Sequence, residues 1–270
     1  MDKTEAGVLT FFGLILFIAL FENTQCLHHL PCKKNHTDPK KISVVLLLPK
    51  DNFYLASYNK VAPVINFTMK RIQERGLLRG MDFELEYRDT GCDLGYGVWE
   101  SIKSFVELPL NVYLGPLCDY IVAPVARLLK FMHVPMITAG ALAYDFNAKD
   151  RRANDSEYHM LVRTGWTFDG MAKTLKGIFQ KFNWLKLLLL YEMNGRPEVM
   201  KDHYCALAMQ ALNEVISVWK NFTLHMHKLT PDLITEDAIK VAKDVIGAEY
   251  GGKHILKLIF SRILLLMIYD

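Results

Sequence analysis

From residue 42 onward the chain repeats one rhythm: a short apolar run, a polar break, then apolar positions spaced by three and four. Ile42–Leu48 is almost unbroken aliphatic sequence and ends at Pro49. A strand buried on both faces of a parallel sheet reads this way. Over Tyr58–Arg75 the period lengthens. Val61, Ile65, Met69 and Ile72 fall on one face of a helix, with Pro63 in an early turn and Gly76 and Gly80 at its end. Phe83–Asp89 alternates, setting Phe83, Leu85 and Tyr87 against Glu84, Glu86 and Arg88, and predicts a strand nearer the edge of a sheet. Trp99–Leu108 is helical, Asn111–Leu114 a third strand and Val134–Ile137 a fourth. Between those two strands Ile121, Val125, Leu128, Leu129 and Met132 recur at helical spacing. Strand and helix in alternation predict a doubly wound α/β fold built on a parallel sheet.

The rhythm resumes after a charged segment, Lys149–Tyr158. Met160–Arg163 reads as the strand that enters a second lobe. Helices follow over Phe168–Phe182 and Val199–Trp219, with strands at Leu185–Tyr191 and Asn221–Met226. A helix over Thr235–Ala248 and a strand at His254–Phe260 come last. The second set begins like the first and does not finish. The expected division is a signal peptide over 1–26, a linker over 27–41, one lobe over 42–148 and a partial second lobe over 149–270.

Composition narrows the setting. Of 270 residues 51% are hydrophobic and 23% charged, enough for a packed core. A net charge of +3, with scattered basic residues and no aromatic–basic stripe, argues against nucleic acid as a partner. Val8–Phe21 is apolar apart from Thr10 and Gly13, with Lys3 ahead and Thr24-Gln25-Cys26 behind. It is shorter than the roughly 20 residues a membrane span needs, so it reads as a secretory signal peptide. The expected location is the secretory pathway, then the cell surface or the exterior. Four N-linked glycosylation acceptors, at Asn35, Asn66, Asn154 and Asn221, suit an exported glycoprotein. Asn66 lies within a predicted helix, so its use requires an outward position. Once Cys26 leaves with the leader, Cys32, Cys92, Cys118 and Cys205 remain in an oxidising compartment. Near the C-terminus Lys257 and Arg262 interrupt the apolar pattern, leaving Ile263–Tyr269 too short to cross a bilayer. Membrane attachment would then come only through a segment beyond this chain.

Catalytic motifs are absent: there is no G-x-S-x-G, no Walker A and no H-E-x-x-H. His225 and His227 share a strand without acidic or cysteine partners at metal-ligand spacing. The expectation is a protein that is not an enzyme and holds no metal.

One stretch organises the rest. Val112–Leu114 stops at Gly115-Pro116 and a helical pattern begins at once, which places a helix start at the carboxyl end of a strand. Ligands of open α/β sheets bind at such ends, and helix starts favour anions. The run Gly115-Pro116-Leu117-Cys118-Asp119-Tyr120, followed by Ala123-Pro124-Val125-Ala126-Arg127, is similar to the signature of natriuretic peptide receptor ectodomains. Ile121-Val122 replaces a small pair of that signature, and Phe131-Met132 stands where it ends in His-Trp. The similarity extends from about Ile42 to Tyr191.

The resemblance implies a fold of the periplasmic-binding-protein type I kind, two doubly wound parallel-sheet lobes, with the second incomplete in this chain. It implies the extracellular ligand-binding region of a receptor that signals for or clears a peptide hormone of natriuretic type, with a homodimer as the assembly. It implies a bridge between Cys92 and Cys118, where position alone leaves two buried thiols as the alternative. It places a bound chloride at Thr90, Leu117 and Cys118 and hormone contacts at Tyr120, Arg127 and Tyr191. No other cofactor is expected. Tyr120 and Arg127, seven residues apart, share one side of a helix. The pattern departs around Cys205, where Ala206 and Leu207 replace two phenylalanines. Cys205 also lacks the family's partner near Phe260, which leaves it to pair with Cys32, to remain a thiol or to bond another chain. Two alternatives stand beside the receptor reading: a secreted decoy or inactive truncated receptor, and a sensor of an amino-acid-like small molecule on the same fold.

Overall fold

The computed structural model describes residues 41–108, 110–147, 156–230, 240, 242–247, 254–258 and 263–268. The expected signal peptide, nearly all of the linker, Cys26, Cys32, Asn35, Asn154 and most of the helix expected over Thr235–Ala248 lie outside the described residues. The chain forms two units. Among the described residues the first comprises 41–140 and 156–164, the second 141–147 and those from 165 onward.

The first unit follows the aliphatic runs. Its elements are β1 (Lys41–Leu48), α1 (Tyr58–Glu74), β2 (Asp82–Asp89), α2 (Leu94–Glu107), β3 (Val112–Leu114), α3 (Asp119–Met132), β4 (Met136–Thr138) and β5 (Leu161–Arg163). The sheet order is β2-β1-β3-β4-β5, and every pairing is parallel. β1 runs beside β2 from Lys41↔Asp82 to Leu48↔Asp89, while its other edge takes β3 at Val44↔Val112. Val44 to Leu48 are all buried, each apolar side chain contributing about 1.5–3 kcal/mol. The alternating strand β2 is indeed at an edge. Arg88 on it reaches Glu107 at 2.8 Å, Glu86 at 3.4 Å and Glu100 at 3.7 Å, tying β2 to α2.

Two expectations are corrected here. α2 begins at Leu94, five residues before Trp99, because the Asp93 carboxylate caps it by accepting from the Tyr96 amide at 2.9 Å. Gly95 and Gly97 weaken the helical pattern in that first turn. Gly97 lets α2 and α3 approach closely, since a Cβ there would lie 2.7 Å from the Ile121 side chain and make it shift. The strand read as entering the second lobe, Met160–Arg163, instead completes the first sheet as β5, pairing Met136↔Leu161 and Thr138↔Arg163. The boundary expected between 148 and 149 is therefore crossed: residues 156–164 rejoin the first unit, and 141–147 go to the second.

The second unit holds a 3-10 turn (Tyr144–Asn147), α4 (Phe168–Lys181), β6 (Lys186–Glu192), α5 (Tyr204–Ile216), β7 (Thr223–Leu229), a π-type turn (Ala242–Ile246), β8 (His254–Leu258) and β9 (Ile263–Ile268). Thr167 caps α4, its hydroxyl accepting from the Gly170 amide at 3.2 Å. α5 starts at Tyr204, not Val199. His203 has a left-handed φ of +60°, and its amide donates to the Asn194 side chain at 2.8 Å, which stops any helix before it. The core gathers Phe168, Phe179, Leu187, Leu189, Tyr204 and Leu212 between the helices and β6. Phe168 meets Tyr204 edge-on at 5.1 Å, and Phe179 stacks on Phe222 at 5.8 Å.

The second sheet is not purely parallel. Its order is β7-β6-β9-β8; β6 and β7 are parallel, but β9 runs antiparallel to both β6 and β8. Connection length explains the β8–β9 pairing. Only residues 259–262 separate β8 from β9, whereas a parallel return needs a crossover of a dozen residues or more.

Candidate functional site

Parallel strands deliver their carboxyl ends to one side of the first sheet, and the loops after β1, β2, β3 and β4 leave there. The chain turns after β3 at Gly115-Pro116, joined by a cis peptide bond. Gly115 has φ +92°, and a Cβ on it would sit 2.1 Å from the Leu47 carbonyl oxygen. Only glycine lets this turn pass so close to β1. After β4 the same logic holds at Gly140, whose Cβ would lie 2.2 Å from the Leu117 carbonyl oxygen. Thr138 joins the two loops, because its hydroxyl donates to the Pro116 carbonyl and accepts from the Gly140 amide. Thr138 and Gly140 were not singled out from sequence; an apolar strand ending in Thr-Ala-Gly is their one signal.

Cys92 and Cys118 are disulfide-bonded, with Cα atoms 5.7 Å apart. The strands they follow are not neighbours, however. β1 lies between β2 and β3, so the bridge passes over the end of β1 and joins loops from either side of it. On the chain-entropy argument, a bridge between cysteines 26 residues apart stabilises by about 3.5 kcal/mol. Cys92 has φ +49°, a left-handed conformation that is unusual for a non-glycine residue and is held here beside the bridge.

Cys118 is the N-cap of α3, one residue outside the first turn, and Leu117 precedes it. Thr90 is fully buried just before Cys92. Its amide donates to the Leu48 carbonyl at 3.2 Å, and its hydroxyl accepts from the Cys92 amide at 3.4 Å, which leaves the hydroxyl proton to donate. The disulfide thus brings the turn that carries Thr90 to the start of α3. Beside it, the Asp89 carboxylate accepts from the Lys50 and Gly91 amides, both at 2.9 Å. The Tyr87 hydroxyl donates to the Leu48 carbonyl at 3.2 Å, and its ring lies 3.9 Å from that of Tyr58. Burial, with the Asp89 charge nearby, pushes this hydroxyl above the usual tyrosine range. Deeper in the sheet, burial pushes Tyr113 up to about 12, against a lowering hydrogen bond with Ser104.

Tyr120 and Arg127 stand on one side of α3, both exposed. Arg127 is already engaged. Its Nε donates to the Glu157 carboxylate, and its guanidinium lies 5.3 Å from the centre of the Tyr158 ring. Glu157 is about half exposed, so this face carries an acidic group next to the arginine. Sequence reasoning treated Asp155-Ser156-Glu157-Tyr158 as a connecting loop and missed these two partners. Tyr191 lies near the end of β6 in the second unit, half-buried against that unit's core. The structure therefore groups Tyr120 with Arg127 and assigns Tyr191 to a different body. Cys205 is fully buried in the second core, a position that withholds it from another chain. Ala206 and Leu207 are half-buried beside it. Asn66 and Asn221 are exposed, as a glycan acceptor must be. Among the described residues no helix is long and apolar enough to cross a membrane, and no cluster of three acidic, histidine or cysteine side chains could hold a metal.

This architecture has relatives. A family profile described as receptor family ligand binding region matches residues 60–245. Human atrial natriuretic peptide receptor 3 is 29% identical over 210 residues, which is 75% of this chain and 37% of that protein. Atrial natriuretic peptide receptor 2 of Anguilla japonica is 30% identical over 152 residues, 54% of this chain and 14% of that one. The chain thus spans 37% of the human receptor's length. Among solved structures, an ABC transporter substrate-binding protein from Desulfitobacterium hafniense superposes with a TM-score of 0.57 at 14% identity, over 77% of this chain and 56% of that chain. That likeness is one of fold alone, the α/β fold of periplasmic binding proteins. With the match running through both units, the chain belongs to the receptor family ligand-binding region, and the natriuretic peptide receptors are among its relatives.

Proposed function

We propose that this chain is the extracellular ligand-binding region of a receptor that signals for or clears a peptide hormone of natriuretic type. The observation that carries the reading is the bridged turn from Gly115 to Cys118. It fixes the start of a helix that displays Tyr120 and Arg127 together beside Glu157. Hormones of this type are basic and cyclic. Glu157 offers them a carboxylate and Tyr120 an aromatic face, while Arg127 reaches peptide carbonyls. Tyr191, near the end of β6, is the further contact that the family resemblance adds to this proposal. Export through a leader at the N-terminus, and glycans at Asn35, Asn66, Asn154 and Asn221, belong to the same reading.

A chloride held by the Thr90 hydroxyl and the Leu117 and Cys118 amides would sit behind the α3 start and stiffen it. Thr90→Val should then abolish a chloride-dependent rise in melting temperature that the parent chain shows. A homodimer is the proposed assembly. Trp99, Ile102 and Val106, spaced three and four apart on α2, are 60%, 37% and 68% exposed, an apolar stripe suited to a second copy. Sedimentation of the exported protein tests it.

The deciding experiment is binding of a labelled cyclic natriuretic-type peptide to exported protein, with and without excess free amino acids. Saturable binding that Tyr120→Ala and Arg127→Ala each weaken by about tenfold or more supports the receptor reading. Thermal stabilisation by free amino acids without peptide binding would move the reading to a small-molecule sensor. Binding of neither would leave a decoy or inactive form.

A further inference from the structure

Helix α1 turns an apolar strip to water. Val64 and Phe67 are 61% and 60% exposed, and Pro63 is exposed beside them. The opposite side of the helix buries Ala62 and Ile72. Asn66, itself exposed, lies one helical turn from Pro63 and next to Phe67, on the flank of the strip away from Val64. With Thr68 it completes the acceptor Asn66-Phe67-Thr68.

We infer that Asn66 carries an N-linked glycan whose first sugars lie over Pro63 and Phe67, so that carbohydrate, not protein, covers this part of the outer face of α1. The inference rests on the secretory reading above and adds to it which acceptor serves the fold, and how. A strip of exposed aliphatic and aromatic side chains on a secreted domain is a liability for self-association. Sugar rings present apolar C–H faces to such a strip and hydroxyls to water. Arg71 already lies 5.3 Å from the centre of the Phe67 ring, so this ring takes a partner across its face.

The folded helix also dictates when the glycan arrives. The Thr68 hydroxyl donates to the Val64 carbonyl at 2.7 Å, so the group the acceptor motif needs is tied back onto the helix. Attachment therefore precedes closure of α1. In the step itself the Asn66 side-chain nitrogen attacks the anomeric carbon of a lipid-diphosphate-linked oligosaccharide. An N–C bond forms, the C–O bond to the diphosphate breaks, the lipid diphosphate leaves with the electron pair, and the nitrogen loses one proton.

The full chain is expressed in secretory eukaryotic cells, once with its own N-terminus and once behind a heterologous leader. The peptide containing residue 66 is then recovered from the lumenal fraction. The expected result is a glycan on that peptide, with the same single mobility step lost in Asn66→Gln and in Thr68→Ala and kept in Thr68→Ser. Trimming the native protein with a glycosidase should raise apolar-dye binding and self-association, and a Phe67→Ser variant should cancel the rise. An unmodified Asn66 in lumenal protein overturns the inference, as does a trimmed protein that behaves like the intact one. A glycan that appears only behind the heterologous leader upholds the inference while overturning the secretory reading.

Discussion

The two units build sheets flanked by helices, but they place their precision differently. In the first, the exactness lies at the strand ends. A disulfide, two glycines pressed against carbonyl oxygens at 2.1 and 2.2 Å, and the Thr138 hydroxyl fix three loops around the start of α3. In the second, it lies in the interior, where Phe168, Tyr204, Phe179 and Phe222 interlock ring to ring beneath a sheet of mixed direction. The first unit concentrates its constraints at the strand ends, the second where the helices meet. Mutations should therefore separate the two by what they disturb.

The largest effect is expected from Phe168→Ala. Deleting this fully buried ring should cost about 3–5 kcal/mol, read as a lower denaturant midpoint for the second unit with α3 binding intact. Equal loss from the first unit would dissolve the contrast. Replacing Cys92 and Cys118 together with serine should cost about 3.5 kcal/mol and weaken ligand binding more than the second unit's stability. Gly115→Ala forces a Cβ into the Leu47 carbonyl at a positive φ, and should cost more than about 1 kcal/mol while lowering affinity at α3.

Tyr113→Phe should be milder, near 1 kcal/mol at neutral pH for its lost hydrogen bonds to Ser104 and the Ser101 carbonyl. Its signature lies in alkali. The folded value is raised above the unfolded one, so stability present below pH 10 falls as pH climbs from 10 through about 12. The phenylalanine variant should show a shallower fall in denaturation measured across that window. The part of the fall that persists would come from Tyr87, which is raised in the same sense. Smallest of all, Arg127→Ala should change stability by less than about 1 kcal/mol, because its bridge to Glu157 is half exposed. A large stability loss would recast Arg127 as a structural clamp between α3 and the segment before β5.

Much of this was legible in the chain. The aliphatic run of β1, the alternation of β2 and the helical spacing of α1 and α3 each record how much of an element's surface is buried, and burial is a local property of each position. The organising turn was legible too, because Gly-Pro after a strand can do little else, and the resemblance supplied its disulfide. Glu157 and Tyr158 were not, since a charged loop carries no trace of the helix it will touch. The start of α2 was hidden behind two glycines, of which Gly97 sits against a neighbouring helix.

Sequence by itself determined the type and order of the elements, because hydrophobic period is written residue by residue. Tertiary structure decided which sheet each strand joined. β5 went back to the first sheet and β9 turned antiparallel in the second, since strand pairing is set by partners far along the chain and by the length of the connection that must reach them.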